Sequence, residues 1–308
     1  MRVGVILLNW NSGEFTIPCI ASLLAGEVVP WRILVWDNAS ADGSAERIQA
    51  QFPEVTMIRS PTNIGFTGGS NAGIGQLLRE GAEAVWILNN DTIVDKGCLR
   101  ELLAVLGRHP EAAVATGKIL YKQAPDRLWY AGGELESCGF GGRHRGIGDI
   151  DRGQYECEAA VGFASGCCML VPAPVFQVLG LFHGLYFAYH EDVEWCWRAR
   201  ERGALLWYAP RAVLWHDVSA SMKKNTLKPG AGTISAQAHY LEARNRIFTM
   251  RLHARGAGQG VLGSGFWVLR TAWLLGGLTL RGRGAKIRGL LRGIRDGLMT
   301  DLSDECNA

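Results

Sequence analysis

The feature that most limits what this chain can fold into is a rhythm in its first 120 residues. Short, nearly continuous apolar runs alternate with helix-length segments. VGVILL (3–8), RILVWD (32–37), VTMIR (55–59) and the run at 84–88 read as strands. Residues 14–25, a stretch of SADGSAERIQAQF capped near Asp42 or Ser44, and a segment through Leu77 and Leu78 read as helices. Strands that are apolar on both faces must be covered on both faces, and helical crossovers join parallel neighbours. The fold class expected is therefore α/β, with a mostly parallel central sheet flanked by helices.

Polar groups stand just past the ends of three of these strands: Asn9-Trp10-Asn11, Asp37-Asn38 and Asn89-Asn90-Asp91. One such end is ordinary turn chemistry, because Asn and Asp bond nearby backbone and cap helices. Three on one edge point to a site, since open α/β sheets bind ligands beyond the carboxyl ends of their strands. No G-K-[ST] follows the glycine-rich stretch near residue 65, so it is no P-loop, and the first strand lacks the G-x-G-x-x-G of a dinucleotide fold.

From about 121 to 160 the pattern is irregular and glycine-rich. Order returns with GFASGCCMLV (162–171), read as a strand, and HEDVEWCWRARERG (190–203), read as a helix ending at Gly203. Beyond His216 the chain turns polar, then helical from about 235 to 254. A net charge of +3 over 308 residues is too small to imply nucleic-acid binding without clustering. The eight cysteines form no C-x-x-C and no zinc spacing with histidine, which fits reduced core thiols in a cytoplasmic protein. The run Val3–Leu8 meets Asn9 without a small-residue cleavage site, so it is not read as a signal peptide.

Six motifs occur in order: VILLNWN at the start, DNASADGS at 37–44, NIGFTGGSNAG at 63–73, LNND at 88–91, ASGCCML at 164–170 and HEDVEWCWR at 190–198. Together they resemble a family 2 glycosyltransferase of GT-A fold. WH at 215–216 and YLEARNR at 240–246 are similar to its rhamnosyltransferase-like members. The resemblance spans about residues 1–255. It implies a GT-A catalytic domain over 1–218, a helical acceptor-side segment over 219–255 and a C-terminal tail over 256–308.

The resemblance also implies roles. A sugar nucleotide leaves as a diphosphate, whose developing charge a divalent cation such as Mg²⁺ or Mn²⁺ offsets through oxygen ligands. The family's D-x-D motif matches here only at its last position, Asp91, because Asn89 replaces the first acid. His216 is the second implied metal ligand. Asp37, acceptor-only when ionised, is implied to take the N3–H of a uracil or thymine ring. Asn9, Trp10, Asn38, Asn63, Gly65, Gly69, Asn71, Asn89 and Asn90 complete the implied nucleotide-sugar wall. Asp192 is the implied general base, with Glu191 next to it. Both also suit a helix N-terminus, where the macrodipole favours acids and keeps a carboxylate ionised. Trp195, Gly166 and Arg244 are implied on the acceptor side, although Arg244 and Arg246 are equally explained by a solvated helix face. Glu194 and Arg198 form an ordinary i, i+4 pair.

The tail joins an apolar, aromatic stretch at 260–280, broken by Arg270, to Arg281, Arg283, Lys286, Arg288, Arg292 and Arg295. No uncharged apolar run reaches the roughly 18 residues of a spanning helix. A segment lying peripherally on an anionic membrane and a helical hairpin packed on the protein or in a homodimer both fit. The function expected is inverting transfer of a sugar onto a saccharide acceptor, free or polyprenyl-diphosphate-linked, for cell-surface polysaccharide. The donor expected is dTDP-rhamnose, with another UDP-sugar such as galactofuranose, or nucleotide binding without turnover, as alternatives.

Overall fold

The computed structural model describes residues 1–218, 235–254 and 256–302. In chain order the elements begin with β1 (Val3–Asn9), α1 (Gly13–Leu24), β2 (Arg32–Asp37), α2 (Ser44–Gln51), β3 (Thr56–Arg59), α3 (Gly65–Arg79), β4 (Ala84–Leu88), β5 (Thr92–Val94) and α4 (Cys98–Arg108). There follow β6 (Ala112–Tyr121), β7 (Ala124–Tyr130), β8 (Gly133–Leu135), β9 (Gly142–His144), β10 (Ala159–Val161), β11 (Cys168–Pro172), α5 (Ala173–Leu179), α6 (Glu191–Glu201) and β12 (Leu205–His216). Three helices close the chain: α7 (Ala236–His253), α8 (Gly256–Leu280) and α9 (Gly284–Met299).

The central sheet runs β10-β12-β6-β11-β4-β1-β2-β3, with β5 on β12 and β7 on β6. The half β4-β1-β2-β3 is parallel, as the alternating pattern requires. Val5, Ile6 and Leu7 of β1 are fully buried, each contributing about 1.5–3 kcal/mol of apolar burial. The other half is mixed, because β11 runs antiparallel to both β4 and β6. It starts at Cys168, so the strand expected over 162–171 is shorter and residues 162–167 form a turn ahead of it.

The glycine-rich stretch folds as the start of α3 rather than as a wall of loop. A Cβ at Gly69 would lie 2.8 Å from Trp36 Cδ1, and one at Gly73 would overlap Ile6 Cδ1. These glycines let α3 lie close on β1 and β2. Asn71, also within α3, donates to Phe182 O at 2.7 Å and accepts from Phe182 N at 3.0 Å. Gly69 and Asn71 therefore serve packing and loop anchoring, which corrects their placement in the nucleotide wall.

Between Ala209 and Val213, β12 bulges past β6, pairing Ala209 with Gly117 and Val213 with Lys118. Pro210 has no N–H to lose there, and a Cβ at Gly117 would strike Ala212 O. Beyond the bulge the strand continues to His216 and pairs with β5.

Residues 219–234 of the expected acceptor-side segment lie outside the described residues. In α7, Asn245 donates to Ala188 O and Tyr189 O, and Phe248 packs with Tyr186. α9 lies against α7 through Gly289, Gly293 and Gly297, whose built Cβ atoms would meet Ala236 O, Tyr240 O and Ile247 respectively. Gly293→Ala should force the helices apart and destabilise the protein by about 1–3 kcal/mol. Thermal unfolding should show a lowered midpoint, and an unchanged midpoint would contradict this packing.

Candidate active site

The site edge is assembled by the turns after β1, β2 and β4. Asn9 is fully buried, donating its amide to Asp37 Oδ1 at 2.8 Å and Ser44 Oγ at 2.8 Å while accepting from Thr16 Oγ1 at 2.8 Å. Asn38 is buried as well, donating to Gly65 O at 2.9 Å and accepting from Trp36 Nε1 at 3.3 Å. These two amides brace the wall from behind. Their assignment as ligand contacts is corrected, because the donor and acceptor groups of both amides are already engaged inside the protein.

Asp37 is only 2% exposed, held by Asn9 and by the N–H of Ser40 at 3.1 Å, which leaves further lone pairs on its oxygens. Trp10 stands at the rim, 58% exposed. Asn63 accepts from Gly65 N at 2.8 Å. Gly65 has φ +80° and meets Phe187 O, a conformation and a closeness that suit only glycine.

After β4 the chain turns through Asn89, Asn90 and Asp91 into β5. Asn90 donates to Ser12 Oγ at 2.8 Å and Thr16 Oγ1 at 2.7 Å, tying the turn to the start of α1. Half-buried Asn89 donates its backbone N–H to Cys167 O at 3.2 Å. Asp91 O accepts from Asp217 N at 2.8 Å, which continues the β5–β12 pairing. That pairing brings Asp91 Oδ1 to 3.0 Å from His216 Nε2.

Asp91 Oδ1 is buried, and besides that close contact with His216 it takes no hydrogen bond among the described residues. A hard carboxylate oxygen and an imidazole nitrogen this close together are donor types that fit Mg²⁺ or Mn²⁺. No group of three or more His, Cys, Asp or Glu gathers here or elsewhere among the described residues, so diphosphate oxygens and water must complete any such coordination. The ring of Trp129, in β7, stands edge-on to His216, with centroids 4.6 Å apart.

Antiparallel pairing of β11 on β4 brings the turn that holds Asp192 to the same edge. Gly166, in the turn before β11, donates its N–H to Asp192 Oδ2 at 2.8 Å, and a Cβ there would lie 3.5 Å from that carboxyl. Asp192 Oδ1 accepts from Val193 N at 2.8 Å. Burial raises the Asp192 pKa, with the N–H of Gly166 and the charge of His190 holding it partly down. Burial, then the charge of Asp192, pushes Glu191 well above the usual carboxylate range, and its Oε2 has no partner among the described residues. The expectation that the helix terminus governs these acids gives way to burial as the dominant cause. Of the pair, Glu191 is pushed up the further, because Asp192 has backbone N–H donors that hold its carboxyl partly down.

Two acceptor-side assignments are corrected. Trp195 is 1% exposed and donates Nε1–H to Gly180 O at 3.0 Å, so it is core and no platform for a sugar. Arg244 donates to Leu185 O and lies over the rings of Tyr240 and Phe248, away from Asp192. Arg246, two residues on and on the opposite side of the helix, faces the β8–β9 hairpin instead, with Nη1 3.4 Å from Glu136 Oε2. Glu194 and Arg198 do form the expected pair, at 2.7 Å.

Sequence reading gave no role to His190, whose Nε2 lies 3.2 Å from Glu242 Oε2 and whose backbone has φ +69°. The HED motif and YLEARNR contain both residues, so the signal was present without its pairing. Trp129 carried no local signal at all, since only strand pairing brings it to His216.

The sequence matches the family model described as glycosyltransferase like family 2 over residues 2–268. The chain belongs to that family. It is 27% identical over 298 residues to an N-acetylglucosaminyl-diphospho-decaprenol L-rhamnosyltransferase of Mycobacterium tuberculosis, covering 90% of each chain. It is 28% identical over 201 residues to the low-salt glycan biosynthesis hexosyltransferase Agl10 of Haloferax volcanii, covering 64% of this chain and 61% of that one. Among solved structures, GalNAc-T7 with UDP, GalNAc and Mn²⁺ superposes with a TM-score of 0.61 at 12% identity, over 82% of this chain and 48% of that one. The mannosyltransferase PcManGT of Pyrobaculum calidifontis, with GDP-Man and Mn²⁺, gives 0.56 at 13% identity, over 97% and 87%. The fold is that of the GT-A transferases.

The burial of Glu191 has a measurable consequence. Its pKa is raised on folding, so its burial costs nothing below the unfolded carboxylate value and costs progressively more as pH rises above it. Glu191→Gln should therefore stabilise the protein at neutral pH, by about 1 kcal/mol or more, with the gain vanishing toward pH 4. Denaturant midpoints of the two proteins across that range check this. A gain that grew on acidification would contradict it.

Proposed function

We propose that this chain is an inverting glycosyltransferase that moves L-rhamnose from dTDP-rhamnose onto a hydroxyl of a lipid-linked saccharide. The observation that carries the reading is the short turn 165–168. Its Gly166 N–H fixes Asp192, and its Cys167 O accepts from the LNND turn that bears Asp91. Base and leaving-group pocket are thereby set side by side. The donor and the lipid-linked acceptor are supported by the mycobacterial relative, which this chain matches over nine-tenths of both lengths. The product class is then cell-surface polysaccharide, made where a soluble donor meets a membrane-anchored acceptor.

In the reaction, Trp10 covers the pyrimidine base and Asp37 takes its imide hydrogen, an arrangement open to thymine or uracil. Asp91 and His216 would hold a divalent cation, which offsets the negative charge that collects on the departing nucleoside diphosphate. Asp192 accepts the proton of the acceptor hydroxyl through Oδ1 or Oδ2. The acceptor oxygen bonds to the anomeric carbon as the bond from that carbon to the diphosphate oxygen breaks, and the configuration inverts. The N–H donors of Gly166 and Val193 aim the carboxylate, and its raised pKa makes it a better base near neutral pH than an exposed aspartate.

Asp192→Asn should bind dTDP-rhamnose almost normally, while transfer falls by about 10²–10⁴. In the parent protein the rate should fall as pH drops through the raised pKa of Asp192, giving an acid limb above the ordinary aspartate range. The residual activity of the Asn variant should lack that limb. Loss of donor binding in this variant would remove Asp192 from the proton-transfer role.

Asp91→Ala should abolish the gain in donor affinity that Mn²⁺ brings, as read by calorimetry with and without the ion. A variant that kept the Mn²⁺-dependent gain would place the metal elsewhere.

A further inference from the structure

α8 runs for 25 residues and buries only one side. Leu274, Leu275 and Leu278 pack with Ala243 of α7 and with Ile287, Leu290 and Ile294 of α9. On the other side stand Phe266, Leu269, Trp273 and Leu280, exposed by 45%, 73%, 80% and 91%. Their spacing of three, four and seven residues puts them on a single stripe of the helix. Phe266 is partly covered by Gly139, while Leu269, Trp273 and Leu280 stay mostly exposed among the described residues. Singly exposed apolar residues are common, whereas a continuous stripe with an exposed tryptophan marks a surface that meets something.

Charge identifies the occupant. Arg281, Arg283, Arg288, Arg292 and Arg295 are exposed at the end of α8 and along α9, interleaved with exposed Leu291, Leu298 and Met299. Over the described part of this tail the acids are Asp296 and Asp301, and Asp296 is already bonded to Arg295 and Tyr240. A second copy of the chain would bring two such cationic faces together, so a symmetric dimer is disfavoured on this surface. No helix among the described residues is long and apolar enough to cross a membrane. An in-plane amphipathic helix with aromatic and aliphatic residues below and arginines at the headgroup level has this composition.

The position of the stripe ties it to the active site. Gly263 of α8 packs against Phe140, and Phe266 closes on Gly139, both at the tip of the β8–β9 hairpin. The same tip is gripped by Arg246, on the helix whose Glu242 contacts His190 beside Asp192. The stripe is therefore linked to the segment that carries Asp192 through the hairpin tip and α7.

We propose that the α8 stripe and the arginines of α8–α9 dock the protein in the plane of an anionic bilayer, with the acceptor crevice at the lipid surface. The inference deepens the lipid-linked-acceptor reading by naming the surface that brings the enzyme to its substrate.

The test uses the full chain with vesicles of phosphatidylglycerol and phosphatidylcholine, or phosphatidylcholine alone, and no acceptor. Binding should appear with the anionic vesicles and weaken as salt is raised. Leu269→Glu with Trp273→Glu should lower partitioning at least tenfold. Arg281→Gln with Arg283→Gln should lower it by roughly tenfold or more on anionic vesicles alone, since each surface cation contributes about fivefold. dTDP binding should be unchanged in both variants, which checks folding. Absence of vesicle binding at low salt, or binding indifferent to the Glu pair, overturns the proposal. So does a dimer in vesicle-free solution that the Glu pair dissolves. Transfer to a detergent-solubilised lipid-linked acceptor is measured separately. Its absence would sink the acceptor reading while leaving vesicle docking intact.

Discussion

The antiparallel pairing of β11 with β4 is the constraint on which the site depends. β4 is buried throughout, so its backbone groups must find partners within the sheet. β1 satisfies one edge and β11 the other. Because β11 runs the opposite way, its first residues arrive at the carboxyl end of β4, where the polar turn begins. Gly166 and Cys167 then stand between Asp192 and Asn89. A parallel strand in that place would have brought its other end to the site and left Asp192 without its backbone donor.

A second register choice completes the edge. The bulge of β12 at Pro210–Ala212 shifts that strand against β6, and beyond it His216 lies opposite Tyr121 and Thr92. Backbone bonds between Asp217 and Asp91 lock the two side chains together. The amides of Asn9, Asn38 and Asn90 do comparable work from behind, tying the turns after β1, β2 and β4 to one another and to α1 and α3. The functional edge is thus a buried polar network with a few groups presented outward. Such networks hold geometry well when every member is satisfied, and Glu191 Oε2, with no partner among the described residues, stands out against that background.

The energetic asymmetry between Glu191 and Asp192 gives the adjacent acids different tasks. Asp192 has two backbone N–H donors that favour its charged form, whereas Glu191 is enclosed with no donor for Oε2 among the described residues. Two neighbouring carboxylates in one buried setting cannot both ionise cheaply. The sequence motif alone, two acids opening a helix, could not separate them.

By itself the sequence determined the parallel half of the sheet and the polar turns that stand at the ends of its strands. Apolar runs on both faces leave a strand no alternative to a covered sheet, and acids just past strand ends are visible in one dimension. Only the tertiary structure decided which asparagines face a ligand and which brace the wall, that Trp195 is core, and that Gly69 serves helix packing rather than phosphate approach. It also decided that α9 seats on α7 while one stripe of α8 is left exposed. Each of these depends on which side of an element meets another part of the chain, a contact between residues tens to hundreds of positions apart. Local pattern fixes the element and its polarity. Burial, register and partner choice are properties of the packed whole.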